Sequence, residues 1–276
     1  MLAATLLAFG SAALHAAWNL LIKTSANRLL AAWGQFLIGG LIFLPLVPLV
    51  GVPEAKAWPF LVISSVVHVF YTLALVRAYH HGDFSFAYPL ARGGGALLAA
   101  IGGVVFLGDV LSAPAWLAIA IVVGGLASLV RPNVTRIALL WAGLTAVTIG
   151  IYTTLDAAGS RRASSGVGYG ITLVLGAGIA LTAWLVVSGH AADMGPAVRL
   201  EWRRYVAGGI CSTLAYTMVL VAVRLAPVGY VAALRESSVV LGAAAGWFLL
   251  HERLGRARVA SSAVVAGGLV LLIVVR

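Results

Sequence analysis

Ten apolar stretches run through the sequence, and only short connections separate them. The hydrocarbon core of a bilayer is about 30 Å thick, and roughly 20 apolar residues cross it as an α-helix. Only 9% of the residues are charged, whereas about a quarter are charged in a soluble domain. We therefore predict an all-α integral membrane protein with ten transmembrane helices. The predicted spans are residues 2–22, 29–50, 58–79, 84–107, 112–130, 137–157, 167–187, 204–225, 228–250 and 257–275.

Composition argues against several other classes of protein. The net charge is +10, but the basic residues are scattered over the connections, which favours contact with anionic lipid headgroups over nucleic acid. The one cysteine, Cys211, allows neither an intrachain disulfide nor a cysteine metal cluster. No GxxxxGK[ST] nucleotide-binding loop occurs. We expect no cofactor and no bound metal, and we interpret the first stretch as a retained helix because no basic segment precedes its apolar core.

The two halves of the chain are related in sequence. Residues 89–111 (PLARGGGALLAAIGGVVFLGDVL) align without gaps with residues 232–254 (AALRESSVVLGAAAGWFLLHERL), and Arg92 then matches Arg235. A charged residue at the same depth in two aligned apolar segments makes a chance match improbable. The chain is therefore interpreted as a repeat.

Each half holds five predicted spans, and five is an odd number. The second half therefore enters the membrane from the opposite side, which defines an inverted-topology repeat. Many secondary transporters have this architecture and bind their substrate near the bilayer midplane, where the repeats meet. We assign residues 1–132 to the first repeat and residues 133–276 to the second.

The two matched arginines are the first candidate site residues. Arg92 and Arg235 each lie about eight residues into a predicted span, a depth at which a charge faces the bundle interior or a wet cavity. They either bind an anionic group of a substrate or form structural ion pairs. Glu236, whose counterpart is Gly93, breaks the symmetry. It either neutralises one arginine or carries a coupling proton.

A second candidate group lies in the first span. His15, Trp18 and Asn19 follow one another at helical spacing, so they share one face of that helix. Two polar side chains beside an aromatic ring in an apolar helix are typical of a cavity wall, although hydrogen bonds between helices would explain them equally well.

Tyrosines complete the predicted substrate site. Tyr71 and Tyr216 occupy related segments, YTLALV and YTMVLV, so we place both near the central cavity. Tyr88 lies one turn before the first arginine. Tyr152 lies in the sixth span, four residues before Asp156, and we place Asp156 near the end of that helix, at the membrane interface.

Short motifs resemble a known family. The acidic residue that follows the fourth span (GDVL, 108–111) and its match in the ninth (HERL, 251–254), together with PLAR (89–92) and HAAWN (15–19), resemble the EamA branch of the drug/metabolite transporter superfamily. The resemblance covers the whole chain. HAAWNLLIK and PLARG are also similar to a subgroup associated with phosphonate utilisation.

The resemblance implies transport of small metabolites, often amino acids, by a monomer or homodimer in the cell membrane of a bacterium. With the repeat, it favours a secondary transporter of an amino-acid-like, zwitterionic or anionic solute that works by alternating access. The alternative is an intramembrane enzyme that acts on a lipid-linked substrate. The resemblance places both termini in the cytoplasm, whereas the distribution of basic residues favours both termini outside.

Overall fold

The computed structural model describes residues 1–23, 25–81, 84–128, 135–241 and 256–275, without the side chains of residues 20, 23, 84–89 and 256–258. Within these ranges each predicted span contains one main helix. The helices are α1 (Leu2–Lys23), α2 (Arg28–Phe43), α3 (Trp58–His81), α4 (Phe84–Leu107), α5 (Ala113–Ala127), α6 (Arg136–Arg162), α7 (Gly166–Val187), α8 (Ala191–Leu225), α9 (Val228–Arg235) and α10 (Arg256–Val274).

Six helical segments are both long and apolar enough to cross a bilayer, counting only the described residues. They are Arg28–Val50, Ala55–His81, Leu90–Leu107, Arg136–Arg162, Gly166–Val187 and Ala191–Leu225. Two further apolar helices, Ala113–Ala127 and Val259–Val274, are shorter. The chain is therefore an all-helical, multi-pass membrane protein.

Most helix bounds lie close to the predicted spans, and α4 coincides with residues 84–107. Two helices are longer than predicted. Helix α6 continues to Arg162, and α8 begins at Ala191 and bends at Glu201, where φ is −120° and ψ is 20°. The additional turns are rich in polar and small residues (AAGSRR and AADMGPAVRL), so hydropathy alone does not detect them.

Two predicted spans are interrupted. Helix α2 gives way to a 3₁₀ turn, Leu44–Leu46, and a short helical turn, Val47–Val50, because each of these turns contains a proline, which lacks a backbone donor. Helix α9 ends at Arg235; the backbone N–H of Glu236 donates to the carbonyl of Ala233 at 3.0 Å, and residues 237–241 are helical again. The rest of the predicted ninth span lies outside the described residues.

Helix α2 packs closely against α7 and α8 through glycines. A Cβ atom on Gly178 of α7 would lie 2.6 Å from the Cα of Leu37, and one on Gly39 would lie 2.5 Å from the carbonyl oxygen of Gly209 in α8. Small residues allow such backbone contact, which drives helix association in lipid. The indole N–H of Trp33 also donates to Thr182 Oγ1 at 2.7 Å and joins α2 to α7.

One end of the bundle is closed by an ion pair, and we call this end the tied end. Helix α4 stops at Gly108, whose φ of +70° favours glycine, and this turn presents Asp109. The Asp109 carboxylate accepts from both terminal nitrogens of Arg161, at 2.7 and 3.2 Å. Its Oδ2 also accepts the backbone N–H of Val228 at 2.6 Å, so a single carboxylate joins the ends of α4 and α6 to the start of α9.

Arginines at the tied end also satisfy the last carbonyl groups of α6 and α8. Arg161 Nε donates to the carbonyl of Val223 at 2.8 Å, and Arg224 donates to those of Ser160 and Ala163. Nearby, Glu54 accepts the backbone N–H of Ser164 at 2.7 Å, and backbone N–H groups hold the pKa of this carboxyl below its usual range. Carbonyl groups at the ends of α6 and α8, which have no partner within their own helices, thus accept hydrogen bonds from these arginines.

We expect Gly178→Ala to destabilise the protein, because the added methyl group would force the backbones of α2 and α7 apart. Overpacking of this kind costs about 1–3 kcal/mol and should lower the Tm in detergent. The matched control is Gly143→Ala in α6, where a Cβ meets nothing within 4 Å and alanine favours the helix. Equal Tm values for the two variants would contradict this packing.

Candidate functional site

A cavity lies among α1, α2, α3, α6, α8 and α9. It measures about 820 Å³, including the part that is open to the outside. Its lining extends to the place where α1 and α3 end and α2 begins, which is the end opposite the tied end. Its lining consists of His15, Trp18, Asn19, Ile22, Arg28, Ala32, Gln35, Phe36, His68, Tyr71, Thr72, Leu75, Val76, Tyr79, Tyr152, Ser212, Ala215, Tyr216 and Arg235.

Aromatic rings form the floor of the cavity. The rings of His68 and Tyr152 lie 4.3 Å apart between centroids. Tyr71 and Tyr216 meet Tyr152 edge to face at 5.3 and 6.2 Å, and Phe36 meets His68 in the same way at 5.9 Å. Helices α2, α3, α6 and α8 all contribute, so the floor joins both halves of the chain. Such a surface accepts flat or apolar groups.

The tautomer of His68 follows from its hydrogen bond. Nδ1 lies 2.8 Å from the carbonyl oxygen of Ser64 one turn earlier, and a carbonyl can only accept, so Nδ1 carries the hydrogen. In the neutral ring, Nε2 is then the acceptor. His68 can therefore accept a hydrogen bond from a hydroxyl or ammonium group in the cavity.

Arg235 places a positive charge in the cavity wall. The residue is only 6% exposed, and its guanidinium carbon lies 5.8 Å from the centre of the Tyr216 ring. Its Nε has no hydrogen-bond partner, and no carboxylate in the described part of the chain forms an ion pair with it. A buried guanidinium with donors to spare is suited to a carboxylate or phosphonate ligand.

Arg92, the sequence partner of Arg235, has a different environment. Its Nη2 donates to Glu236 Oε1 at 2.7 Å and its Nε to Oε2 at 3.3 Å. Both side chains are buried, and neither lines the cavity. The pair joins α4 of the first half to the interruption after α9 in the second. Since Glu236 neutralises Arg92, no carboxylate among the described residues is left to compensate the positive charge of Arg235 beside the cavity.

Asp156 lies just beneath the aromatic floor. The sequence placed it at the interface, but α6 extends beyond it and leaves it 1% exposed. Its Oδ2 accepts the hydroxyl hydrogen of Tyr216, which lines the cavity. This one hydrogen bond connects Asp156 to the cavity lining.

Comparison with known proteins identifies the family. A model of the EamA-like transporter family matches residues 136–274, half of the chain. The chain belongs to the EamA-like transporter family. Members of this family are membrane transporters of the drug/metabolite superfamily. No match was found among the curated proteins. A solved structure described as "Crystal structure of protein" has the same fold, with a TM-score of 0.78 and 17% identity over 99% of each chain.

The EamA cavity brings together most of the residues that the sequence singled out. Those in the lining are His15, Trp18, Asn19, Tyr71, Tyr152, Tyr216 and Arg235. Arg92 and Glu236 lie outside it, bonded to each other. The side chain of Tyr88 lies outside the described residues.

The contribution of α2 to the cavity was not predicted from the sequence. Arg28, Gln35 and Phe36 all line it, and Gln35 Oε1 is buried without a hydrogen-bond partner among the described residues. One signal was present, because Gln35 is the one amide in an otherwise apolar segment. It belongs to no motif that recurs in the second half of the sequence, however.

We expect Glu236→Gln to lower the stability of the protein by about 3–5 kcal/mol, because it leaves Arg92 buried without its counter-charge. Thermal unfolding in detergent measures the effect. The control is Glu201→Gln, which removes the more exposed pair with Arg204 and should cost about 0–1 kcal/mol.

A double variant tests the same pair directly. Replacing Arg92 and Glu236 together by glutamine should recover part of the loss, because no unpaired charge remains. If the two single losses simply add, the ion pair is not the source of the stability.

Proposed function

We propose that this EamA-family protein is a secondary transporter that moves a small anionic or zwitterionic metabolite across the cell membrane by alternating access. One observation supports the proposal most strongly. Arg235 is buried, has no acidic partner among the described residues, and lines a cavity that reaches the end of the bundle opposite the tied end.

The pattern of helix packing supports an inverted repeat with the boundaries expected from the sequence, residues 1–132 and 133–276. If helices α1 to α5 are exchanged for α6 to α10, each main contact has a counterpart. Helix α3 packs on α6 as α8 packs on α1, and α2 packs on α8 as α7 packs on α3. The remaining helices meet their own repeat partners, in the pairs α2 with α7, α4 with α9 and α5 with α10.

The charge of the cavity wall favours an anionic substrate group. Among the described residues, the lining contains two arginines, Arg28 and Arg235, and no aspartate or glutamate. A carboxylate or a phosphonate would satisfy the donors of Arg235, and the resemblance to the phosphonate-associated subgroup is consistent with the second. The ammonium group of a zwitterion would have to rest on the aromatic faces, whereas a purely cationic solute would be repelled.

Alternating access requires a closed end that can open. The tied end fits this role because its contacts are ion pairs and hydrogen bonds at helix ends. The Arg161 side chain is about a quarter exposed, so water can replace its contacts when the end opens. We propose that opening separates Asp109 from Arg161 and that the other end closes over the cavity in exchange.

Three probes that share a benzene ring test the charge selectivity. We expect the purified protein to bind phenylacetate, an anion, more tightly than phenylalanine, a zwitterion, and not to bind phenethylamine, a cation. Isothermal titration in detergent measures the three affinities. Arg235→Gln should weaken phenylacetate binding by about tenfold to a hundredfold, since a charged hydrogen bond contributes roughly 1.5–3 kcal/mol.

The matched control for that variant is Arg199→Gln, an exposed arginine outside the cavity lining, which should bind phenylacetate like the parent. Tightest binding of phenethylamine, or unchanged phenylacetate binding in Arg235→Gln, would refute the assigned role of Arg235.

Cysteine labelling tests the tied end. In a Cys211→Ala background, a cysteine at Ala157, which is fully buried, should react slowly with a water-soluble maleimide. Adding Asp109→Asn should speed the reaction, because the neutral amide holds Arg161 more weakly. Adding Glu201→Gln at the other end of α8 should leave the rate unchanged. Equal rates in all three proteins would show that the tied end does not open through this ion pair.

A further inference from the structure

Asp156 is a buried carboxylate without a basic partner. It is 1% exposed, and in the described part of the chain no lysine, arginine or histidine lies within ion-pair distance of it. Its Oδ2 accepts from Tyr216, and its Oδ1 has no hydrogen-bond partner. An ionised carboxylate is costly in such a place, so a bound proton relieves the cost.

The groups that face Asp156 from the neighbouring helices are uncharged. Tyr216 faces it from α8, Tyr169 from α7 and Ser64 from α3, although the Tyr169 hydroxyl does not complete a hydrogen bond. On α3, His68 is turned to the carbonyl of Ser64 through Nδ1. Hydroxyl groups can donate to a carboxylate and accept from a carboxylic acid, so this environment can accommodate both forms of Asp156.

The nearby arginines do not pair with Asp156. Neither Arg92 on α4 nor Arg235 on α9 forms an ion pair with its carboxylate. At the tied end, Arg161 pairs with Asp109 and Arg224 donates to main-chain carbonyls. Among the described residues, no basic side chain therefore neutralises an ionised Asp156 by direct contact.

Glu236, for which the sequence left open the role of proton carrier or of ion-pair partner, is less suited to carry a proton. Both of its oxygens accept from Arg92, and protonation would remove the counter-charge of a buried guanidinium. Leaving such a charge unpaired is expensive. Proton binding at Glu236 is thus opposed by the same ion pair that joins the two halves.

Asp156 is also connected to the substrate site. The Tyr216 hydroxyl donates to Asp156, and the Tyr216 ring lies beside the Arg235 guanidinium at 5.8 Å. An ionised Asp156 would add a negative charge beneath the site for an anion, whereas a protonated Asp156 would not. Substrate and proton would therefore favour each other's binding, since such coupling is reciprocal.

We propose that Asp156 is the proton-binding site of this protein and that it couples movement of an anionic substrate to movement of a proton in the same direction. The proposal rests on the transport function proposed above. On α6, Asp156 lies one turn beyond Tyr152 of the cavity floor and one turn before Ser160 of the tied end, about 6 Å along the axis from each. The proton would enter from the cavity in the present conformation and leave toward the other side when the tied end opens.

Infrared spectroscopy tests proton binding without any substrate. Purified protein is titrated from about pH 5 to about pH 9, and the carbonyl stretch of protonated carboxyl groups is followed. We expect a band that disappears as the pH rises, is missing in Asp156→Asn, and persists when Arg92 and Glu236 are both replaced by glutamine, a variant that leaves no member of that pair charged. In Asp156→Glu the band should return with a shifted midpoint, which also shows that the site folds. A band that survives in Asp156→Asn, or is lost in the folded double variant, would overturn the proposal.

Phenylacetate binding at different pH values tests the coupling. In the parent protein the affinity should fall as the pH rises, by up to about tenfold per pH unit if one proton is taken up, whereas in Asp156→Asn it should be independent of pH. The proposal would be overturned if Asp156→Asn kept the pH dependence of the affinity and His15→Gln or His68→Gln lost it. If the parent binds no phenylacetate, the transport proposal loses its substrate class, and the infrared result still decides on Asp156.

Discussion

The ion pair between Arg92 and Glu236 determines the chemistry of the cavity. A guanidinium inside an apolar bundle faces either a partner or a water-filled cavity, and the chain buries two at aligned positions, Arg92 and Arg235. The residue directly after Arg235 is Glu236, whereas Gly93 follows Arg92, and Glu236 binds Arg92 in the other half of the chain. This choice ties α4 to α9 and leaves Arg235 with the charge that can attract an anion.

Much of the fold could be predicted from sequence, because hydropathy and helix length are local properties. The ten helices and the EamA family were both expected, and the family is confirmed. Helix ends were less predictable where small and polar residues extend a helix, as in the last turn of α6 and the first turns of α8. That error alone changed the interpretation of Asp156 from an interfacial to a buried residue.

Several residues that line the candidate site could be predicted from the sequence, but which charged residues form an ion pair could not. Helical spacing brought His15, Trp18 and Asn19 to one face, and all three line the cavity. No sequence pattern could say which arginine Glu236 would bind, because adjacent residues on a helix point in different directions. Which arginine Glu236 binds depends on the backbone after α9, where the helix is interrupted and Glu236 begins a new turn. Such a break is set by three-dimensional packing.

The pairing of Arg92 with Glu236 has an electrical consequence. Those two charges cancel, so the net charge near the cavity depends on Arg28, Arg235, Asp156 and whatever is bound. An empty protein with ionised Asp156 has the same net charge there as one that holds a monoanion together with a proton. A membrane potential acts on a moving elementary charge with about 2.3 kcal/mol per 100 mV. Because the two sums are equal, the voltage across the membrane would neither drive nor oppose the exchange between open states, and the chemical gradients alone would set its direction.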